Sequence, residues 1–288
     1  MDTAQTNPKE RVAVPIPGNK AGHQTEPAED SAVRFAFGKN WANFLSVVNE
    51  DRIAEATARL AEALGSLKGK SFLDVGSGSG IHSLAALRLG ASRVHSFDYD
   101  LQSVACAGEM KKRFAPGANW SVEQGSILDE NYVRSLGRFD IVYSWGVLHH
   151  TGNMWKALDL VTIPAVEKLM VAIYHDQGWK SRFWKFYKRA YNRRSRPVKW
   201  LMEVLVLGWA WGKPFVRRPR HTMARWKNYV RDRGMSPWYD VVDWAGGYPF
   251  EVAAPQELIF FFIQRGFTLE HSEIRGGGNC NDFVFCRK

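Results

Sequence analysis

With 288 residues, 45% of them hydrophobic and 24% charged, the chain is long enough for one large domain or two small ones and has the composition of a protein with a buried core. This excludes a largely disordered chain, a collagen-like repeat and a polytopic membrane protein. The net charge of +10 is concentrated in one segment: Gln177 to Met235 holds 17 Lys or Arg against Glu203 and Asp232, a net +15 that leaves −5 for the remainder.

Residues 1–31 read as a flexible polar leader dotted with Pro8, Pro15, Pro17 and Pro27, with no apolar signal segment. Three cysteines, Cys106, Cys280 and Cys286, make neither a disulfide framework nor a zinc site, and the expected compartment is the cytosol. Residues 32–68 read as an N-terminal helical cover. Apolar side chains recur at helical spacing from Trp41 to Leu64, through Val48, Ile53, Ala56 and Leu60. Just before them, FGKNW (Phe37 to Trp41) either folds over a ligand or packs on a sheet edge.

Residues 69–176 alternate short apolar strands with helices. KSFLDV runs into GSGSG and the helix IHSLAALRLG; SRVHSFD precedes LQSVACAGEMKKRF; NWSVEQG precedes a helix near Asp129 to Leu136; FDIVYSW precedes MWKALDLV; KLMVAIY is a fifth strand. Such alternation predicts βαβ units and a doubly wound, mainly parallel α/β sheet. Residues 177–254 form a basic, aromatic-rich helical insert holding eight of the twelve tryptophans, six of them in the strongly basic stretch from Gln177 to Met235. Residues 255–288 return to the core pattern, with PQELIFFFIQRGF as helix and TLEHSEI and DFVFCRK as strands.

LDVGSGSG (Leu73 to Gly80) carries the most information. A buried strand enters glycines at 76, 78 and 80 and then a helix, so backbone N–H groups at a helix start can lie against a ligand. Asp98 ends the second strand, 24 residues after Asp74. A carboxylate there either accepts both ribose hydroxyls of an adenosine or only caps the next helix. A nicotinamide dinucleotide and S-adenosylmethionine are the two adenosine cofactors to weigh. The dinucleotide fingerprint is G-x-G-x-x-G, whereas this chain has D-x-G-x-G-x-G. The carboxylate of Asp74 is badly placed for a pyrophosphate and suits a cationic ammonium group, which favours S-adenosylmethionine over a dinucleotide-dependent oxidoreductase.

In order, LDVGSGSG, VHSFDYD, EQGSILD and FDIVYSWGVLHH resemble the motifs of class I S-adenosylmethionine-dependent methyltransferases, and VLHH is similar to the ubiquinone-biosynthesis O-methyltransferase type. The resemblance covers Gly69 to Tyr174 well and Pro255 to Lys288 more loosely. It implies a Rossmann-like sheet of seven strands with the last antiparallel. It also implies that Gly76, Ser77, Gly78 and Gly80 line the methionine part, Asp98 holds the ribose, and Tyr99, Ser126 and Ile127 flank the adenine. Ser144 and Trp145 would offer backbone to the methionine amine. The chain departs from the family at TIPAVEKLMVAIY, where a Pro-Gly-Gly turn is usual before the fifth strand.

For the chemistry, His149 and His150 sit just past the fourth strand, on the carboxyl edge where open α/β folds bind ligands. An imidazole there can serve an oxygen acceptor as general base, or merely pack in the loop. The resemblance mildly favours His149, and His175 is a weaker candidate on the same edge. In WYDVVDWAGGYPFE (Trp238 to Glu251), Asp243 and Glu251 either contact an acceptor or belong to a structural loop.

The insert has three readings: a lid that also touches a membrane surface, a lid alone, and a nucleic-acid patch, in that order of preference. Its longest apolar run, Leu201 to Trp211, is about half the roughly 20 residues a membrane span needs. The expected acceptor is therefore a small or lipid-linked molecule methylated at oxygen, with peripheral membrane contact. An RNA methyltransferase is the alternative that the basic insert keeps open.

Overall fold

The computed structural model describes residue 45 and residues 48–233, 237–275 and 279–288, with 230–233 and 239 as backbone only. The leader and the FGKNW segment lie outside these residues. Helix α1 (Glu50–Leu64) starts where the Asn49 side chain accepts the Arg52 N–H at 3.1 Å, with Glu50 and Asp51 in the positive first turn. Ile53, Ala56, Leu60 and Leu64 face inward at the predicted spacing. The helical period was expected to run unbroken from Trp41, but Val48 and Asn49 are non-helical. The cap explains the break, because the Asn49 side chain takes over a backbone donor.

Seven strands follow: β1 (Ser71–Val75), β2 (Arg93–Asp98), β3 (Trp120–Gln124), β4 (Phe139–Trp145), β5 (Ala165–Tyr174), β6 (Phe267–Glu273) and β7 (Cys280–Arg287). They form one sheet in the order β3-β2-β1-β4-β5-β7-β6, with β7 antiparallel to both neighbours. Helices α2 (Ile81–Arg88), α3 (Leu101–Phe114), α4 (Glu130–Ser135) and α5 (Met154–Leu160) make the crossovers. Successive strand residues point to opposite faces, so Phe72 packs with α1 and α2 in one core while Leu73 packs with α5 in the other. This is the doubly wound sheet expected from the alternation, with the seven strands and antiparallel last strand of the Rossmann-like methyltransferase fold that the resemblance implies.

Strand β5 begins at Ala165 rather than Lys168. The Phe139 N–H donates to the Pro164 carbonyl at 2.8 Å and a bulge between Phe139 and Ile141 lets pairing start early.

The insert is four helices: α6 (Trp179–Asn192), α7 (Arg196–Arg217), α8 (Pro219–Arg233) and α9 (Pro237–Gly246). Tyr191 Oη donates to Glu203 Oε1 at 2.5 Å and Asn192 Nδ2 to the Gly246 carbonyl at 2.8 Å, tying α6 to α7 and to α9. Helix α10 (Pro255–Ile263) then covers the sheet and stops before Gly266, whose φ of +81° starts the turn into β6.

The strand order reverses between β1 and β4: the chain builds outward from β1 through β2 to β3, then returns to place β4 and β5 on the other side of β1. The crevice beyond their carboxyl ends is where ligands of open α/β sheets bind. The glycine turn leaves β1 there, and the two histidines leave β4 beside it.

Candidate active site

Gly76, Gly78 and Gly80 all have positive φ, at +75°, +53° and +78°. Two of them lie against protein rather than against open space. A Cβ on Gly76 would come within 2.4 Å of Val147 Cγ1, and one on Gly80 within 3.0 Å of Ala107 Cβ. The turn is therefore built by close packing of β1 on the β4 loop and on α3. Gly76→Ala is expected to destabilise the fold by about 2–4 kcal/mol, from the left-handed backbone and the overpacked Val147 together. A thermal melt unchanged from wild type would contradict this.

Asp98 holds the turn in place. Its Oδ2 accepts the Gly78 N–H at 2.9 Å and its Oδ1 the Asp100 N–H at 2.9 Å. The capping role falls instead to Asp100, which accepts the Gln102 N–H at 2.8 Å at the start of α3. A carboxylate oxygen can accept more than one hydrogen bond, so beside these backbone donors Asp98 keeps capacity for a ligand hydroxyl. Burial raises the Asp98 pKa above the usual carboxylate range.

Asp74 is buried, and burial raises its carboxyl to about 7 against the lowering effect of the Ser83 hydroxyl, which donates to Oδ2 at 2.5 Å. Ser83 in turn lies 2.6 Å from Ser96 Oγ, which accepts from Trp120 Nε1 at 2.7 Å. This buried polar chain across α2, β2 and β3 was not read from the sequence. Its only signal was a Ser at the third position of the helix after the glycines. Ser77 Oγ is buried with no hydrogen-bond partner among the described residues.

At the end of β2, Tyr99 is 59% exposed, while Ile127 is buried in the core and Ser126 Oγ accepts the Leu128 N–H at 3.2 Å. Gly125 was also missed. A Cβ there would sit 2.3 Å from the Tyr132 ring, so glycine admits that ring beside Phe97. Ser144 Oγ donates to the Val75 carbonyl at 3.1 Å, and Trp145 Nε1 donates to Asp282 Oδ1 at 3.2 Å. The Trp145 ring thus lies toward β7, while the backbone of both residues ends β4 at the crevice.

The two loop histidines are not equivalent. His149 is wholly buried, its ring 4.2 Å from Tyr174, and neither of its nitrogens has a hydrogen-bond partner among the described residues. Burial, then the neighbouring His150 and Lys188, hold its pKa well below the usual imidazole range. His150 is partly exposed, and its Nδ1 lies 2.6 Å from the Pro249 carbonyl. A carbonyl can only accept, so Nδ1 carries the proton and the neutral ring has its lone pair on Nε2. Burial pulls its pKa down to about 4.

Among the other candidates, His175 Nδ1 accepts from Asn281 Nδ2 at 3.0 Å beyond β5. Glu251 Oε2 accepts the Met154 N–H at 3.0 Å, so this carboxylate caps α5, which favours its structural reading. Asp243 acts on a residue the sequence reading passed over, Lys188. This lysine is fully buried on α6, donates to the Trp244 carbonyl, and lies 4.5 Å and 5.0 Å from the Trp244 and Phe250 ring centroids. It shares the inward face of α6 with Ser181, Trp184 and Tyr191, a spacing visible in the sequence but masked by the many neighbouring cations.

Burial lowers Lys188 to about 7, against the opposing pull of Asp243. The unfolded chain keeps this proton to about 10.4 and so binds more protons between pH 7 and 10.4. The cost of burying Lys188 is therefore greatest at and below pH 7 and fades as pH rises. Lys188→Met is expected to raise the melting temperature more at pH 7 than at pH 10. A pH-independent difference would contradict the buried-amine reading.

The ribosomal protein L11 methyltransferase (PrmA) family model matches residues 56–143. A tRNA U34 carboxymethyltransferase from Cellvibrio japonicus is 29% identical over 153 residues, 52% of this chain and 47% of that protein. A ribosomal protein L11 methyltransferase from Xanthomonas campestris is 47% identical over 58 residues, 20% of this chain and 19% of that protein. The chain thus spans about half the length of the first curated relative and about a fifth of the second. The structure of PKMT2 from Rickettsia typhi in complex with AdoHcy superposes with a TM-score of 0.53 at 13% identity, over 81% of this chain and 52% of that one, which establishes the shared fold. These matches support the class I methyltransferase likeness but do not single out the ubiquinone-biosynthesis type.

Proposed function

We propose that the chain is an S-adenosylmethionine-dependent methyltransferase that methylates an oxygen of a small or lipid-linked acceptor. The observation that carries this reading is the Asp98 carboxylate, which pins Gly78 of the glycine turn at the switch point of the sheet. The residues present fit the cofactor. The unpartnered Ser77 hydroxyl offers a polar contact at the turn, Asp98 keeps acceptor capacity for ribose, and the exposed Tyr99 ring offers a face to adenine. Buried Asp74, held part-neutral at pH 7, would be ionised by a nearby ammonium group. Gly76, Gly78, Gly80, Ser126, Ile127 and the backbone at Ser144 and Trp145 complete the proposed binding set.

When bound, the cofactor supplies an electrophilic methyl group on a sulfonium. The chain's part is to orient an acceptor, exclude water and accept a proton. His150 suits that last role, because Nδ1–H fixed on the Pro249 carbonyl leaves the basic lone pair on Nε2 of a ring that is partly exposed just past β4. His149 suits it less, because its ring is closed off against Tyr174.

A tRNA acceptor is the second reading. It is favoured by the likeness over 153 residues to a protein named for tRNA U34 and by the +15 insert. Incubating the protein with methyl-labelled cofactor and separate lipid, small-molecule and tRNA fractions decides between them. Label entering the lipid or small-molecule fraction supports the first reading, and label entering only tRNA replaces it with the second.

A further inference from the structure

On α6, the inward residues Ser181, Trp184, Lys188 and Tyr191 leave the opposite face to Trp179, Phe183 and Phe186, which are 66%, 50% and 71% exposed. On α7, Val198, Leu201, Leu205, Trp209 and Val216 are all exposed, at spacings of three, four, four and seven. At 100° per residue these lie on one side, and at 1.5 Å per residue the stripe runs about 27 Å. Trp209 leans on Trp184 and Trp244, with ring centroids 5.4 and 6.2 Å apart, and anchors the stripe to the inner side of the insert. Large apolar side chains exposed in this number on one side of each of two helices mark a contact site.

Cations border it. Arg182, Lys185 and Arg189 flank the apolar side of α6, and Arg193, Arg194 and Arg196 are exposed at the turn into α7. A pocket of about 440 Å³ at this turn is lined by Phe186, Arg189, Ala190, Arg193 and Arg194, combining an apolar wall with guanidinium groups suited to a phosphate. No helix among the described residues is long and apolar enough to cross a membrane. Four of the five stripe residues on α7 are aliphatic, a composition that suits a lipid boundary better than base stacking, whereas the exposed rings of α6 suit either surface.

We infer that the outer face of α6 and α7 docks on the surface of an anionic lipid bilayer, with the apolar stripe in the headgroup boundary and the arginine turn on lipid phosphates. Four residues separate helix α6 from β5, and α6 buries Lys188 beside Trp244 and Phe250, so the docked face is joined directly to the acceptor edge. The surface itself stands on its own geometry. Its use in delivering a lipid-borne acceptor rests on the methyltransferase reading above.

The test is co-sedimentation of the full chain with phosphatidylcholine vesicles, with and without phosphatidylglycerol, at low and high salt. Filter binding to total tRNA and calorimetric titration with S-adenosylmethionine run alongside. Two variants are compared, one with Arg193, Arg194 and Arg196 changed to Glu and one with Leu201→Glu and Leu205→Glu. Their melting temperatures show whether each still folds. Wild type should bind only the anionic vesicles and release as salt rises. The arginine variant should bind about a hundredfold more weakly, and the leucine variant should fail to sediment. Absence of wild-type binding, equal binding to neutral vesicles, or unchanged binding by both folded variants overturns the inference. So does tight salt-sensitive binding to tRNA without vesicle binding. Vesicle binding that follows this pattern in a protein that does not bind S-adenosylmethionine upholds the docking face while removing the methyltransferase reading.

Discussion

Asp98→Ala is expected to weaken S-adenosylmethionine binding by between several-fold and about a hundredfold. The proposed ribose contacts are charge-assisted hydrogen bonds, and the substitution removes them. It also removes the acceptors that hold the Gly78 and Asp100 N–H groups at 2.9 Å, so the glycine turn loses its anchor. Asp98→Asn separates the two effects, because its amide oxygen can still accept one backbone N–H while the negative charge is gone. Titration calorimetry should therefore rank affinity as wild type, then Asn, then Ala. Equal affinity across the three would remove Asp98 from the site. Gly78→Val should abolish binding, since position 78 has a left-handed backbone and its N–H belongs to the same contact.

His150→Ala is expected to lower turnover by about 10²–10⁴-fold while changing cofactor affinity little, because a base acts on the acceptor. Its depressed pKa gives the pH dependence its sign. With the folded imidazole pulled down to about 4, the ring is already neutral at pH 6, where an ordinary imidazole is mostly protonated. Turnover should then stay level from pH 8 down to about 6 and fall only as pH approaches the depressed value. An acid limb centred near 6.5 would exclude His150 as the base. His149→Ala should behave differently. It empties a wholly buried site against Tyr174 and His150, so its main effect is loss of stability, on the order of 2–4 kcal/mol. If His149→Ala keeps its melting temperature and loses turnover, the roles of the two histidines are exchanged.

The sheet was legible because its signals are local. Apolar runs alternated with helical periods, and glycine punctuated the turns, so the strands of the core fell close to where the sequence put them. The start of β5 was not legible, since it depends on a carbonyl of Pro164 that pairs with β4 rather than on any pattern within the strand. The cofactor-side candidates converge at the carboxyl edge of β1, β2 and β4 because each ends a strand. What the sequence could not separate were neighbours with identical chemistry. His149 and His150 differ only in which one turns inward, and that is decided by Tyr174 and by the Pro249 carbonyl, 99 residues further along. Likewise the sequence left Glu251 open as a pocket contact or a structural-loop residue, and the Met154 N–H that it accepts, 97 residues away, favours the second by capping α5. Lys188 was hidden for the opposite reason. Only its face on α6 distinguishes it from the other cations of the insert, and a charge count carries no orientation.

The central claim is that the glycine turn, Asp74 and Asp98 bind an adenosyl cofactor with a cationic methionine end. Calorimetric titration of the wild-type chain with S-adenosylmethionine and, separately, with NAD tests it most directly. The account predicts saturable one-to-one binding of S-adenosylmethionine and markedly weaker binding of NAD, since the buried Asp74 carboxylate attracts an ammonium and opposes a pyrophosphate. Tighter binding of NAD, or no binding of S-adenosylmethionine by the folded protein, would contradict it.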